Sequence, residues 1–148
     1  MSFFTSEYDC KLDAKGRLAL PSKVRSVLPE VNGNELVLRR GFEPCLVLYT
    51  ALEYKKINAR LSSLSEFNDE HRRFQRSFFR GHMDVELDTA GRINISKRMM
   101  DFAGLEKEVV LVGMGNRLEI WNPDRYEEYL IQDASEYSQM AEKLLADD

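Results

Sequence analysis

Two arginines, each preceded at fixed spacing by an aspartate and a glycine, carry the groups in this chain best suited to chemistry. They lie in Asp13-Ala14-Lys15-Gly16-Arg17 and Asp88-Thr89-Ala90-Gly91-Arg92, 75 residues apart. An aspartate can bond the backbone two residues on, and a glycine accepts positive φ without steric cost, so each motif reads as a tight turn. Asp13, Gly16, Asp88 and Gly91 are the residues expected to shape the turns. Lys15 and the two arginines then project cations where two strands meet. An arginine's planar fork can bond a phosphate, or the O6/N7 edge of guanine, through two hydrogens. The alternative is an Asp13–Arg17 ion pair that only staples a hairpin, a contact contributing about 0–1 kcal/mol when exposed. Five cations (Lys11, Lys15, Arg17, Lys23, Arg25) stand against Asp13 alone between Lys11 and Arg25, which favours the nucleic-acid role for Arg17. For Arg92 the two roles stand level.

Other chemistries find less support. Cys10 and Cys45 show no C-x-x-C spacing, and His71 and His82 have no metal-ligand pattern around them. No Gly-rich phosphate loop and no H-E-x-x-H is present. We therefore expect no catalysis, cofactor, metal or small-molecule substrate, with both cysteines in the core and both histidines structural.

The formal net charge of −4 hides an asymmetry. Residues 1–80 carry 14 Lys and Arg against 10 Asp and Glu, a net of +4; residues 81–148 carry 7 against 15, a net of −8. Such a basic region is what phosphate attracts. No apolar run approaches the roughly 20 residues of a membrane helix, and Met1–Glu7 lacks a basic, then apolar, export pattern. A cytoplasmic protein without a membrane partner is expected, its thiols reduced.

The turn motifs sit inside a longer repeat. Leu12–Leu20 and Leu87–Ile95 match as Leu-Asp-x-x-Gly-Arg followed by alternating aliphatics; Val24, Val27 and Leu28 recur as Met99, Phe102 and Ala103. Leu36-Val37-Leu38 recurs as Val109-Val110-Leu111, and Leu46–Tyr49 as Leu118–Trp121. Alternation predicts a strand over Phe4–Asp13 and a return strand over Arg17–Leu20. Pro21 then opens a short helix near its first position, and Pro29 helps end it as Gly104 does in the second copy. After a turn at Asn32-Gly33-Asn34, strands are expected over Glu35–Arg39 and Cys45–Tyr49. Each copy is thus β-β-α-β-β, and copies of about 45 residues are too small to stand without a shared core.

Helices fill the remainder. Thr50 with Glu53 makes a capping box for a helix with Tyr54, Ile57, Leu61 and Leu64 on its apolar stripe. A second runs from near Asn68 to Gly81, with Arg72, Arg76 and Arg80 on one face and Phe67, His71, Phe74 and Phe78 on another. The arginine row is expected to make subunit contacts with the acidic second half, and the aromatic row to be core or interface. Asn122-Pro123 opens a further helix, and Tyr137, Met140, Ala141 and Leu144 predict an amphipathic final one before the acidic tip Asp147-Asp148.

These motifs resemble the MraZ family, built from two AbrB-like (SpoVT-AbrB) swapped-hairpin repeats. The resemblance spans nearly the whole chain and rests on both Leu-Asp-x-x-Gly-Arg turns, the Arg72-Arg73-Phe74-Gln75-Arg76 run before Gly81-His82, and Leu111-Val112-Gly113 followed by Leu118–Trp121. It implies an α+β fold of two tandem swapped-hairpin modules sharing a mostly antiparallel core. Residues 7–54 would form the first repeat, 55–82 a helical connector, 83–126 the second repeat and 127–148 a terminal helix. It also implies sequence-specific binding of promoter double-stranded DNA at repeated sites, a closed-ring homo-oligomer on the nucleoid, and repression of its own division and cell-wall operon. With the basic stretch around the first turn added to the turn arginines, the expected DNA-contacting set is Lys11, Lys15, Arg17, Lys23, Arg25 and Arg92. Ala90 stands where the first copy has Lys15, so the first turn is expected to be the main contact. An antitoxin-like or protein-interaction module is the alternative.

Overall fold

Strands from the two copies interleave. In the computed structural model, which describes residues 4–28 and 35–146, a six-stranded antiparallel sheet runs in the order β1-β7-β8-β4-β3-β5. The first copy supplies β1 (Glu7–Lys11), β3 (Glu35–Arg40) and β4 (Leu46–Thr50); the second supplies β5 (His82–Glu86), β7 (Glu108–Gly113) and β8 (Leu118–Trp121). β1 pairs with β7 and β5 with β3, so each copy's first strand lies on the other copy, while β4 and β8 join the two halves. The remaining strands, β2 (Arg17–Ala19) and β6 (Arg92–Asn94), form a separate two-stranded ribbon. The expected β-β-α-β-β order holds in both copies, and the fold is α+β with a mostly antiparallel sheet.

The central strands are apolar on both faces because both faces are covered. Leu38, Leu46, Leu111, Leu118 and Ile120 face the ribbon and the short helices α1 (Ser22–Arg25) and α4 (Lys97–Ala103), where Leu18, Val24, Ile93, Ile95 and Met99 complete one core. Val37, Val47, Tyr49, Val110, Val112 and Trp121 point the other way. They meet Tyr54 from α2 (Ala51–Ser62) and Tyr126 from α5 (Pro123–Glu128). Tyr126 donates its hydroxyl to Glu7, tying α5 to the edge strand. Cys45 is fully buried and Cys10 half-buried against the first core.

Caps open the helices, and one glycine closes a helix, at residues suited to those roles. Thr50 accepts from Glu53 N, Asn68 from His71 N for α3 (Asp69–Arg80), and Asn122 from Asp124 N and Arg125 N. Asp133 caps the final helix, α6 (Ala134–Leu145), and Gly104 ends α4 at φ 63°.

Two expectations change and a third divides. The first strand begins at Glu7, because Ser6 at φ 73° breaks the extended run. Phe4 instead bridges to Gly115, and a Cβ on Gly113 would collide with the Thr5 backbone. Pro21 precedes α1 as its N-cap (φ −57°, ψ 150°) rather than entering it, and Val27 and Leu28 follow in a turn. The aromatic row of α3 splits: Phe78 is partly buried against the second core, whereas Phe74 is exposed and Phe67, on the loop before the helix, is 89 % exposed. Pro29, the Asn32-Gly33-Asn34 turn and the Asp147-Asp148 tip lie outside the described residues. Among the described residues no helix is long and apolar enough to cross a membrane.

Candidate nucleic-acid interface

Asp13 shapes the first turn through both carboxylate oxygens. Oδ1 accepts from the backbone N–H of Lys15 and of Arg17, each at 2.9 Å, while Oδ2 accepts from Arg17 Nε at 2.7 Å. Gly16 N donates to Asp13 O at 3.1 Å and Asp13 N to Arg17 O at 3.0 Å, closing the hairpin with Gly16 at φ 79°. The second turn repeats the arrangement. Asp88 Oδ1 accepts from Ala90 N and Arg92 N at 2.9 Å, Oδ2 from Arg92 Nε at 2.9 Å, and Gly91 sits at φ 75°. The backbone N–H of Arg17, then its side chain and Lys15 N, hold the Asp13 carboxyl below the usual carboxylate range; Arg92 and Ala90 do the same for Asp88.

The ribbon brings the two turns together. In its register Arg17 faces Asn94, Leu18 faces Ile93 and Ala19 faces Arg92. Beyond those pairs Leu20 N donates to Gly91 O at 3.0 Å, and Ile95 N to Gly16 O at 2.8 Å. Leu18 and Ile93 are fully buried, so alternation turns Arg17, Ala19, Arg92 and Asn94 to the opposite, outer face. Arg17 and Arg92 are therefore diagonal neighbours on that face, a relation that puts side chains about 7–8 Å apart in antiparallel pairs. Each guanidinium spends only Nε on its aspartate; the Nη groups of both take no partner among the described residues. The ion pair of the staple alternative exists, yet it leaves the outer half of each fork available.

The other predicted cations fall at different distances from this face. Lys15 is exposed in the first turn. Arg25 donates from Nε to Leu20 O at 3.1 Å and lies against Gly91, where an added Cβ would stand 2.7 Å from its Cδ. The second turn, which lacks a lysine of its own, thus receives a cation from the first copy. At the offset of 75 the counterpart of Arg25 is Met100, and Met100 Cε lies beside Gly16 in the same way, 3.2 Å from an added Cβ. Lys11 is on the edge strand, 4.0 Å from Glu108. Lys23 is exposed on α1. Asn94 was not among the expected contacts, although the alternation of Arg92-Ile93-Asn94 already marks it as outward; an asparagine there can bond adenine.

Elsewhere the titratable groups serve structure. His71 Nδ1 accepts from Ser65 N at 3.0 Å, and His82 sits between Tyr54 Oη at 3.1 Å and Asp84 Oδ1 at 3.0 Å. Burial, with Glu119 and Glu43 nearby, pushes the Cys45 thiol up to about 12, which keeps it protonated. Among the described residues no three His, Cys, Asp or Glu side chains come together to hold a metal ion.

Comparison with known proteins agrees with the doubled architecture. The chain matches the family described as "MraZ protein, putative antitoxin-like" over residues 3–77 and again over 78–148. It is 56% identical over 146 residues to a protein of Cytophaga hutchinsonii named "Transcriptional regulator MraZ", covering 99% of this chain and 97% of the relative. Proteins of the same name from Lactobacillus delbrueckii subsp. bulgaricus (43% over 141 residues; 95% and 96% covered) and Christiangramia forsetii (38% over 142; 95% and 92%) are also similar. Two family matches and end-to-end relatives leave one assignment: the chain belongs to the MraZ family.

Proposed function

We propose that this chain is a transcriptional regulator that grips double-stranded DNA with the outer face of the β2–β6 ribbon. The observation that carries this is the pair of arginines on that face, each oriented by its aspartate through Nε, with no partner for either Nη group among the described residues. A two-stranded ribbon fits a major groove about 12 Å wide, and a guanidinium already fixed by a carboxylate loses less rotamer entropy on bonding a base or phosphate. Lys15 beside the first turn and Arg25 beside the second supply the phosphate-attracting charge. Arg92 is then a contact equal to Arg17 rather than a lesser one.

On this basis residues 7–54 and 83–126 make the DNA-binding repeats, while 55–82 and 127–148 serve assembly. One ribbon on an acidic protein binds weakly. A closed ring of copies would present several ribbons to repeated promoter sites, and every contact after the first is effectively intramolecular. Repression of the chain's own operon on the nucleoid is the role such binding suits. The names of the relatives support regulation of transcription. A second role, an antitoxin-type module, draws on the family description and on the exposed apolar residues of α6. Its signature would be a small basic protein that co-purifies in fixed ratio.

The test is a gel-shift titration with the DNA upstream of the gene. Arg17→Ala and Arg92→Ala should each weaken specific binding by about 1–3 kcal/mol per engaged turn, with circular dichroism and sedimentation unchanged. Wild-type affinity in both variants would reject the ribbon as the interface.

A further inference from the structure

Two helices of this chain leave large apolar side chains exposed on its surface, although Phe78 of α3 is partly buried against the second core. In α6, Tyr137, Met140, Ala141 and Leu144 fall at i, i+3, i+4 and i+7, yet Tyr137 is 65 % and Leu144 68 % exposed. An isolated helix of about 12 residues is marginal in water, so an ordered α6 calls for cover. Its charge is acidic, with Asp133, Glu136 and Glu142 against Lys143.

The other helix, α3, is its complement. Phe74 and Phe79 are exposed, and Arg72, Arg73, Arg76 and Arg80 outnumber Asp69 and Glu70. Beneath it lies Arg39, 6 % exposed and stacked under Phe78 and Phe42 with its Cζ 4.7 and 5.1 Å from their ring centroids. Its Nη groups reach only Arg40 O and the Tyr49 hydroxyl, and its Nε has no partner. No carboxylate pairs with this buried cation among the described residues. A buried charge without a counter-ion is costly, and an anionic surface laid over it lowers that cost. Phe42, 75 % exposed, and Phe74 border a cavity beside Arg39 that would take an apolar side chain.

We infer that the acidic, aliphatic stripe of α6 docks on the basic, aromatic face of α3 of a second copy. This rests on the assembly part of the proposed function and names its two surfaces. Donor and acceptor are different patches of one chain, so the contact is head to tail, and repetition closes a ring when the rotation permits. Opposite charge fixes the partner and apolar burial holds it.

Sedimentation velocity on full-length variants tests this. Met140→Asp with Leu144→Asp breaks the donor, and Phe74→Ser with Arg76→Glu breaks the acceptor; all four residues are at least partly exposed, and circular dichroism checks the fold. Each variant alone should sediment as a monomer. Mixed, the two should give a dimer and nothing larger, because one joint per pair remains intact. Affinity for multi-site promoter DNA should fall about 10²- to 10⁴-fold in either variant, the loss expected when linked contacts become separate. Wild-type protein that is monomeric overturns both the ring and this inference, while its DNA binding is still judged by the Arg17 and Arg92 variants. An oligomeric wild type with unaltered variants, or a mixture that rebuilds the full assembly, overturns this inference alone.

Discussion

Replacing Arg17 by lysine keeps the charge of the first turn and removes its geometry. In the folded chain Arg17 Nε serves Asp13 at 2.7 Å, and its Nη groups take no partner among the described residues. A lysine ammonium is one point charge: bonded to Asp13 it is withdrawn from the groove, and extended to the groove it leaves the turn unbraced. A bidentate arginine–guanine contact discriminates against the wrong base by about 1–3 kcal/mol, and about 1.4 kcal/mol is tenfold, so Arg17→Lys should lower specificity roughly 5- to 150-fold per engaged turn. Arg92→Lys should cost the same, since its bracket repeats the first, with Nε 2.9 Å from Asp88 against 2.7 Å from Asp13. The salt dependence should not move. Each neutralised phosphate contributes about 0.9 to the slope of log K against log[salt], and a contact to a base edge neutralises none. Fluorescence anisotropy with the upstream DNA and a scrambled duplex, each at several salt concentrations, separates the two quantities. Undiminished discrimination by Arg17→Lys would refute the fork as the reading element; a shallower slope with intact discrimination would make Arg17 a phosphate contact.

Glycine substitutions should rank by what the new Cβ meets. Gly16→Ala and Gly91→Ala each incur about 1–2 kcal/mol for left-handed backbone; at Gly16 the Cβ also meets Ile95 O at 2.7 Å, whereas at Gly91 it meets the movable end of Arg25. Thermal denaturation should therefore show Gly16→Ala as the less stable variant, and the reverse order would contradict the ribbon geometry. Asp13 and Asp88 have lowered folded pKa values, so their brackets hold above the ordinary aspartate value of about 3.9 and are lost only as pH falls through a still lower midpoint. Carboxyl-carbon NMR titration checks this, and a midpoint above about 3.9 for either residue would count against it. Cys45, buried with its thiol raised to about 12, should resist iodoacetamide at pH 8 until the chain unfolds, and half-buried Cys10 should be labelled first. Mass spectrometry showing equal labelling of both in native protein would overturn that order.

Local chemistry made much of this fold legible in the residues. The two turns, the caps at Thr50, Asn68 and Asn122 and the stop at Gly104 all depend on bonds within a few residues, so their signals survive in linear order. Strand partners do not. β1 could have folded back on β2, but it pairs with β7, because twin copies carry the same pattern and only the three-dimensional sheet selects between them. For the same reason the meeting of Arg17 and Arg92 on one ribbon, and the seat of Arg25 beside Gly91, were invisible in spacing alone. The aromatic row of α3 was legible only in part: helical spacing marks a face that wants cover, without saying that Phe78 meets the second core while Phe74 stays exposed.

Interleaving also sets when the protein can form at all. Glu7 finds its neighbour at Val112, and Lys11 at Glu108, so the first strand to leave the ribosome waits for about two-thirds of the polypeptide to be made. At about 5–20 residues per second that delay lasts several seconds or more. A half-length chain carries only β1 to β4, so by itself it can complete neither the six-stranded sheet nor the ribbon.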